Sequence, residues 1–231
     1  MISGVISNTG KTTIALSIAM YITSVLKRRL VYVDLDWVNM TGSRIIRSQF
    51  VKIEKGLYRL EPPSVDKLPS VGIFDLFSDG RFDMSSIYAT RIVEKGSPIL
   101  LLSPGKEFKK PSERLVEHFF NSVNIDMILD FPVLETEQLL MLRPLLEKLD
   151  LVIFPYIPGK EVQAGQEIVK IRQLTDASII EVCNMASRSI KAREKLPEIQ
   201  LKEYQNLEEK IYNISRQLFK KHLNWLRTYI H

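Results

Sequence analysis

The feature that most constrains this chain is an alternation. Short, near-continuously apolar runs are separated by segments of helix length. The runs are Met1–Ile6, Leu30–Leu35, Pro98–Leu102, Met127–Leu129, Leu151–Pro155 and Ile179–Cys183. Strands covered on both faces read this way, whereas half-exposed strands alternate apolar with polar residues. The stretches Thr12–Lys27, Asp83–Glu94, Ser112–Ser122, Glu135–Lys148 and Val162–Leu174 read as helices. Strand and helix in turn build βαβ units, whose right-handed crossovers place helices on both faces of a mostly parallel sheet. The expected fold class is therefore α/β with three layers.

The 231 residues, 45% of them hydrophobic and 26% charged, suffice for one large α/β domain or two small ones. We read a single domain over 1–231. Two regions depart from the alternation. Phe50–Leu60 reads as a hairpin turning at Glu54-Lys55-Gly56, and the Pro/Ser-rich Glu61–Ser70 returns the chain to the core. Together they form an insertion at about 44–70. From Leu201 to Ile230 there is no Gly or Pro, so the tail at 201–231 is one long helix or two shorter ones.

Several function classes are set aside by composition. Cys183 is the only cysteine, so no disulfide framework or four-cysteine metal site can form within one chain. His118, His222 and His231 lack metal-ligand spacing. No nucleophile elbow is present. No apolar run approaches the ~20 residues that span a bilayer, and no secretory leader is evident, so a cytoplasmic location is expected. The net charge of +5 permits contact with nucleic acid or an anionic membrane without demanding either.

Chemistry gathers at strand ends. Ser7-Asn8-Thr9-Gly10-Lys11-Thr12-Thr13 follows the first strand and opens the first helix. A helix N-terminus offers unpaired N–H groups and partial positive charge to phosphate oxygens. Gly10 lets the backbone wrap closely, Lys11 can bridge outer phosphates, and the Thr12 hydroxyl is a hard ligand suited to Mg²⁺. The full phosphate-loop pattern wants a Gly six residues before the Lys. Here that position is Val5, with Gly4 one residue earlier, which suggests a loop of different length. Asp34 and Asp36 close the second strand, and Asp130 closes the strand before Phe131-Pro132. In open α/β sheets this edge holds the ligand. Carboxylates there can hold a metal or orient water, or can simply cap turns.

The set Gly10-Lys11-Thr12-Thr13, Val33-Asp34-Leu35-Asp36 and Leu129-Asp130-Phe131-Pro132 resembles the ParA/MinD family of P-loop ATPases in order and approximate spacing. The resemblance runs from Met1 to about Glu198. It implies a P-loop NTPase fold, ATP and Mg²⁺ as cofactors, and a nucleotide-dependent switch in partitioning or positioning. Carried over, Asn8, Thr9, Gly10, Lys11, Thr12 and Thr13 cradle phosphates. Thr12, Asp34 and Asp130 serve the metal. Asp36 positions the hydrolytic water, and Lys11 and Asp130 act beside it. Asn184 reads the base, and the loop at Pro197 closes over it. The family's signature lysine falls at Ile6 here, which puts its nucleotide-sandwich homodimer in doubt. Two alternatives share the fold: an ATP-dependent ligase of the dethiobiotin synthetase or cobyrinate amidase type, and a non-hydrolysing scaffold. The segment Lys210–His231 carries five Lys or Arg residues and no acid. It reads either as a terminal helix docked on the sheet with its basic side in water, or as a non-specific contact with DNA or a membrane surface. Lys106, Lys109 and Lys110 read as a solvated loop.

Overall fold

In chain order the elements are β1 (Ile2–Val5), α1 (Lys11–Ser24), β2 (Leu30–Asp34), α2 (Thr41–Ile46), β3 (Gln49–Glu54), β4 (Leu57–Glu61), α3 (Ile73–Asp79), β5 (Ile87–Thr90), β6 (Ile99–Leu102), α4 (Glu113–Ser122), β7 (Asp126–Asp130), α5 (Thr136–Met141), α6 (Arg143–Leu146), β8 (Leu151–Tyr156), α7 (Glu161–Arg172), β9 (Ser178–Cys183), β10 (Glu194–Lys195) and α8 (Leu207–Lys221). This computed structural model describes residues 1–7, 9–54, 57–93, 95–132, 136–184, 194–196 and 206–229.

Eight strands form one sheet in the order β10-β9-β8-β1-β7-β2-β6-β5. All its pairings are parallel except β5 with β6. Side chains leave successive strand positions on opposite faces, and both faces are covered. On one face Leu30, Tyr32, Ile128 and Ile153 pack against α1, α2 and α8. On the other, Val31, Val33, Met127, Leu129 and Val152 pack against α3, α4, α6 and α7. The chain therefore has the three-layer α/β fold with a mostly parallel sheet that the alternation predicts.

Helix α1 is buried without a break from Ile14 to Thr23. A helix that is apolar all round needs cover on its outer side as well as its inner one. Helix α8 supplies that cover with Tyr212, Leu218 and Phe219. The Ser215 hydroxyl donates to the Thr13 carbonyl at 2.9 Å. The Arg227 guanidinium donates to the Tyr21 hydroxyl at 3.0 Å. Arg44 of α2 pairs with the buried Glu208 at 2.6 Å. Asn206 caps α8 by accepting from the Glu209 amide at 2.8 Å. Lys210, Arg216, Lys220 and Lys221 remain exposed, so α8 docks on α1 with its basic side outward.

Several expectations need correction. Asp83–Glu94 is not a helix. It begins as a short 3-10 turn, Met84–Ser86, and continues as β5. The reason is chain length. Thr90 pairs with Ile99, and the connection 91–98 is too short for the dozen or more residues of a parallel crossover, so the chain reverses into an antiparallel edge. Glu135–Lys148 is two helices, because Pro144 enters at the start of α6 and cannot continue α5. Gly4 belongs to β1, not to a longer phosphate loop. It pairs with Leu129 and Val152, and a Cβ there would sit 2.7 Å from Leu149 Cδ1. Its absent side chain makes room for packing. The hairpin is present as the antiparallel pair β3–β4. Lys109 is not a free loop lysine: although partly exposed, its ammonium is bonded to the buried Asp75 carboxylate. Lys106 Nζ donates to the Asp66 carbonyl at 3.2 Å.

Candidate functional site

Strand register assembles the site. Val5 of β1 pairs with Asp130 of β7, and Asp34 of β2 pairs with the same Asp130. In a parallel sheet register partners lie side by side about 4.8 Å apart, with their side chains on one face. That face is the α1 side, because Tyr32 and Ile128, two residues earlier on the same strands, pack there. The chain then leaves β1 and enters α1 through residues 6–10. The two buried carboxylates consequently face the first turn of α1.

The turn into α1 is left open for an anion. Gly10 occupies the N-cap position in left-handed conformation, φ 65°, where it has no side chain with which to cap the helix. No acidic residue occupies the first turn. The positive φ favours glycine here, and a Cβ at Gly10 would meet Asn184 Nδ2 at 2.6 Å, which puts the Asn184 side chain against the loop. The Ser7 hydroxyl accepts from the Thr9 amide at 3.0 Å and folds the start of the loop.

Burial pushes the Lys11 ammonium below its ordinary range, while the Asp130 and Asp36 charges nearby favour its protonated form. Asp130 is almost fully buried, and burial pushes its carboxyl upward. Three groups oppose that shift: the Tyr32 hydroxyl, which donates to Oδ2 at 2.7 Å, the Thr12 hydroxyl and the Lys11 charge. Among the described residues Oδ1 of Asp130 has no hydrogen-bond partner. A buried carboxylate oxygen with no partner is costly unless something else satisfies it.

Asp34 is also fully buried, and burial followed by the Asp130 charge drives its carboxyl up to about 8. Its oxygens accept from the Asp36 amide at 3.0 Å and the Ser43 amide at 2.6 Å. Asp34 thus ties the segment 36–43 to the end of β2. Asp36 lies at the start of that segment. Its carboxylate accepts from the Val38 and Asn39 amides at 3.2 and 3.1 Å and closes a turn. Trp37 then packs on Phe108 and edge-on to Phe74, with ring centroids 4.6 and 5.6 Å away. Asn8 and Pro197 lie outside the described residues.

The structure therefore brings together Thr9, Gly10, Lys11, Thr12, Asp34, Asp36, Asp130 and Asn184, and Thr13 lies one residue further into the same turn. Sequence reading missed Tyr32, which holds Asp130, and Gly42, where a Cβ would meet the Tyr32 hydroxyl at 2.8 Å. A signal existed. A tyrosine inside an otherwise aliphatic buried strand must find a partner for its hydroxyl.

No protein-family model and no curated protein sequence matches the chain. Solved structures do. The septum site-determining protein MinD of Pyrococcus horikoshii, complexed with Mg-ADP, superposes with a TM-score of 0.52 and 16% identity, over 81% of this chain and 71% of that one. A plasmid partition protein described as putative, from Borrelia burgdorferi and bound to AMPPNP, gives 0.56 and 14%, over 95% and 98%. Cobyrinic acid a,c-diamide synthase of Mycobacterium smegmatis, with bound ADP and magnesium, gives 0.58 and 15%, over 99% and 96%. At these identities the likeness establishes a shared fold and nothing finer.

Proposed function

We propose that this protein binds ATP with Mg²⁺ across the first turn of α1 and hydrolyses it, acting as a nucleotide-dependent switch of the ParA/MinD kind. The observation that carries the reading is Asp130. Its buried Oδ1, without a hydrogen-bond partner among the described residues, lies at the strand edge facing the helix N-terminus, beside Lys11 and Thr12. Hard oxygens from Thr12 and Asp130 suit Mg²⁺, directly or through its waters. The metal would supply neutralisation of charge on the outer phosphate oxygens. The free amides of residues 11–13 and the Lys11 ammonium bind the phosphates, and Gly10 permits the close approach. Asp36 is the residue placed to orient a water, once its turn with Val38 and Asn39 rearranges.

Three neighbours with a nucleotide or its analogue bound support the choice of ligand, and the fold shared with MinD and a partition protein supports the switch. Dimerisation on nucleotide, and contact of the exposed α8 lysines with DNA or a membrane, belong to the same proposal. The test measures ATP turnover with Mg²⁺ while light scattering reads mass. Wild type should turn over ATP, and Asp36→Ala should hold nucleotide without turnover and accumulate as a dimer. Turnover unchanged in Asp36→Ala sinks the assignment of Asp36. A second reading, an ATP-dependent amide-forming enzyme, is favoured by the superposition of cobyrinic acid a,c-diamide synthase over 99% of this chain. ATP turnover that appears only with a small carboxylic acid supplied would select it.

A further inference from the structure

The turn after β2 is closed by its own side chains. Residues 36–43 are pinned at both ends by one carboxylate, since Asp34 accepts from the Asp36 and Ser43 amides. Between the pins both oxygens of Asp36 are engaged: Oδ1 accepts from the Val38 and Asn39 amides, and Oδ2 accepts from Asn39 Nδ2 at 3.4 Å. Met40 is buried and sits at φ 49°, a left-handed conformation that strains a residue with a Cβ. Trp37, next to Asp36, is partly buried against Phe74 and Phe108, whose own ring centroids are 5.1 Å apart. The wall behind it is firm. The Ile73 and Phe74 amides donate to the Ser103 and Pro104 carbonyls at 2.9 and 3.3 Å, and the Lys106 amide donates to the Ser70 carbonyl at 3.1 Å. With the Lys109–Asp75 ion pair, these bonds join the start of α3 to the loop that carries Phe108. The movable side of the contact is therefore Trp37 and its turn.

We propose that Trp37 is a positioning residue for Asp36: docked on Phe74 and Phe108 it keeps Asp36 folded onto its own turn, and its undocking frees that carboxylate to face a bound nucleotide. The inference rests on the nucleotide reading and adds to it the contact that holds the site incomplete. Asp36 is near enough to Lys11 for its charge to act there, so the distance to be covered is short. The pins at the Asp36 and Ser43 amides confine the movement to the residues between them. Opening the turn within that span draws Trp37 off the two rings. Relief of the left-handed strain at Met40 favours the open arrangement, and loss of the ring contacts opposes it. Two opposed terms of comparable size make an element with two states, which a ligand can bias. A ligand that binds the open arrangement better shifts the chain toward it, and a substitution that opens the turn must in return tighten that ligand.

The sequence has two tryptophans, so a Trp225→Phe parent leaves Trp37 as the single emitter. Acrylamide quenching then reads the exposure of Trp37, and calorimetry on the same full chain reads ATP binding with Mg²⁺. ATP with Mg²⁺ should increase the quenching. Phe108→Ala should show that increase without nucleotide and should bind ATP more tightly, by up to about tenfold, the worth of one aromatic contact. Phe108→Tyr, which keeps the ring, should match the parent. Loss of packing alone would weaken ATP binding or leave it unchanged, not tighten it. Should Phe108→Ala fail to fold, Phe108→Leu, which keeps apolar volume and removes the ring, takes its place. ATP that binds while Trp37 quenching stays the same, or a ring-less variant that binds ATP no more tightly than the parent, overturns the proposal and leaves the nucleotide reading standing. A parent protein that gives no calorimetric ATP binding overturns both.

Discussion

At the scale of single residues, the site is held together by groups that solve one another's burial. Asp130 is tolerated because Tyr32, Thr12 and Lys11 converge on it. Removing the Tyr32 hydroxyl leaves a second oxygen of that carboxylate without a partner. Tyr32→Phe should cost about 1–3 kcal/mol in urea unfolding, the range for orphaning a buried polar group. A cost near zero would mean that the hydroxyl does not hold Asp130. The acid pair also sets a pH dependence. Asp34 and Asp130 both have carboxyls raised in the folded state, so the folded protein binds more protons than the unfolded one above their ordinary range. The stability contribution of these groups is present at low pH and is lost as pH rises through their folded values. The nucleotide-free protein should therefore melt at higher temperature at about pH 6 than at about pH 9, and Asp34→Asn should flatten that slope. A melting temperature that instead climbs with pH over this window, with the Asn variant parallel, would show that the pair does not govern it.

At the scale of elements, α8 belongs to the core. It closes the outer side of the helix that carries Lys11 and Thr12, and Ser215 bonds to the carbonyl of Thr13. Each large side chain buried there contributes roughly 1.5–3 kcal/mol, so removing the helix uncovers more than the margin of a typical domain. Truncation after residue 205 should yield aggregated protein, and Arg44→Ala should lower stability by about 1–3 kcal/mol through the orphaned Glu208. Truncated protein that stays monomeric with an unchanged melting temperature would contradict this role. The elements also show where sequence reading works. The six expected strands were legible because burial on both faces writes itself as an apolar run. Helices α2 and α3, six and seven residues long, were not. So few turns carry no usable periodicity. Strand β5 was misread because its partner is distant in character: nothing within Ile87–Thr90 says whether a neighbouring edge is available. The carboxylates at the strand ends were legible singly. Their side-by-side placement was not, because it depends on the order of β1, β7 and β2.

At the scale of the whole molecule, the sheet gathers at one edge an open helix N-terminus, a lysine and two buried acids, and puts α8, with its outward lysines, over α1 on one face. On the function proposed above, the first group would bind nucleotide and the second would report it. Among the described residues no helix is long and apolar enough to cross a membrane. Mixing with anionic vesicles or duplex DNA at rising salt should show retention that Lys220→Glu with Lys221→Glu abolishes. Retention that the double variant leaves intact would assign the contact elsewhere. The central claim is that the first turn of α1 holds ATP through Lys11 and a metal served by Asp130. Calorimetric titration of ATP into wild type and Lys11→Ala, each with and without Mg²⁺, tests it most directly. Saturable binding to wild type that strengthens with Mg²⁺ and disappears in Lys11→Ala is the predicted result. Binding that ignores both the metal and the lysine, or no binding by wild type, would contradict it.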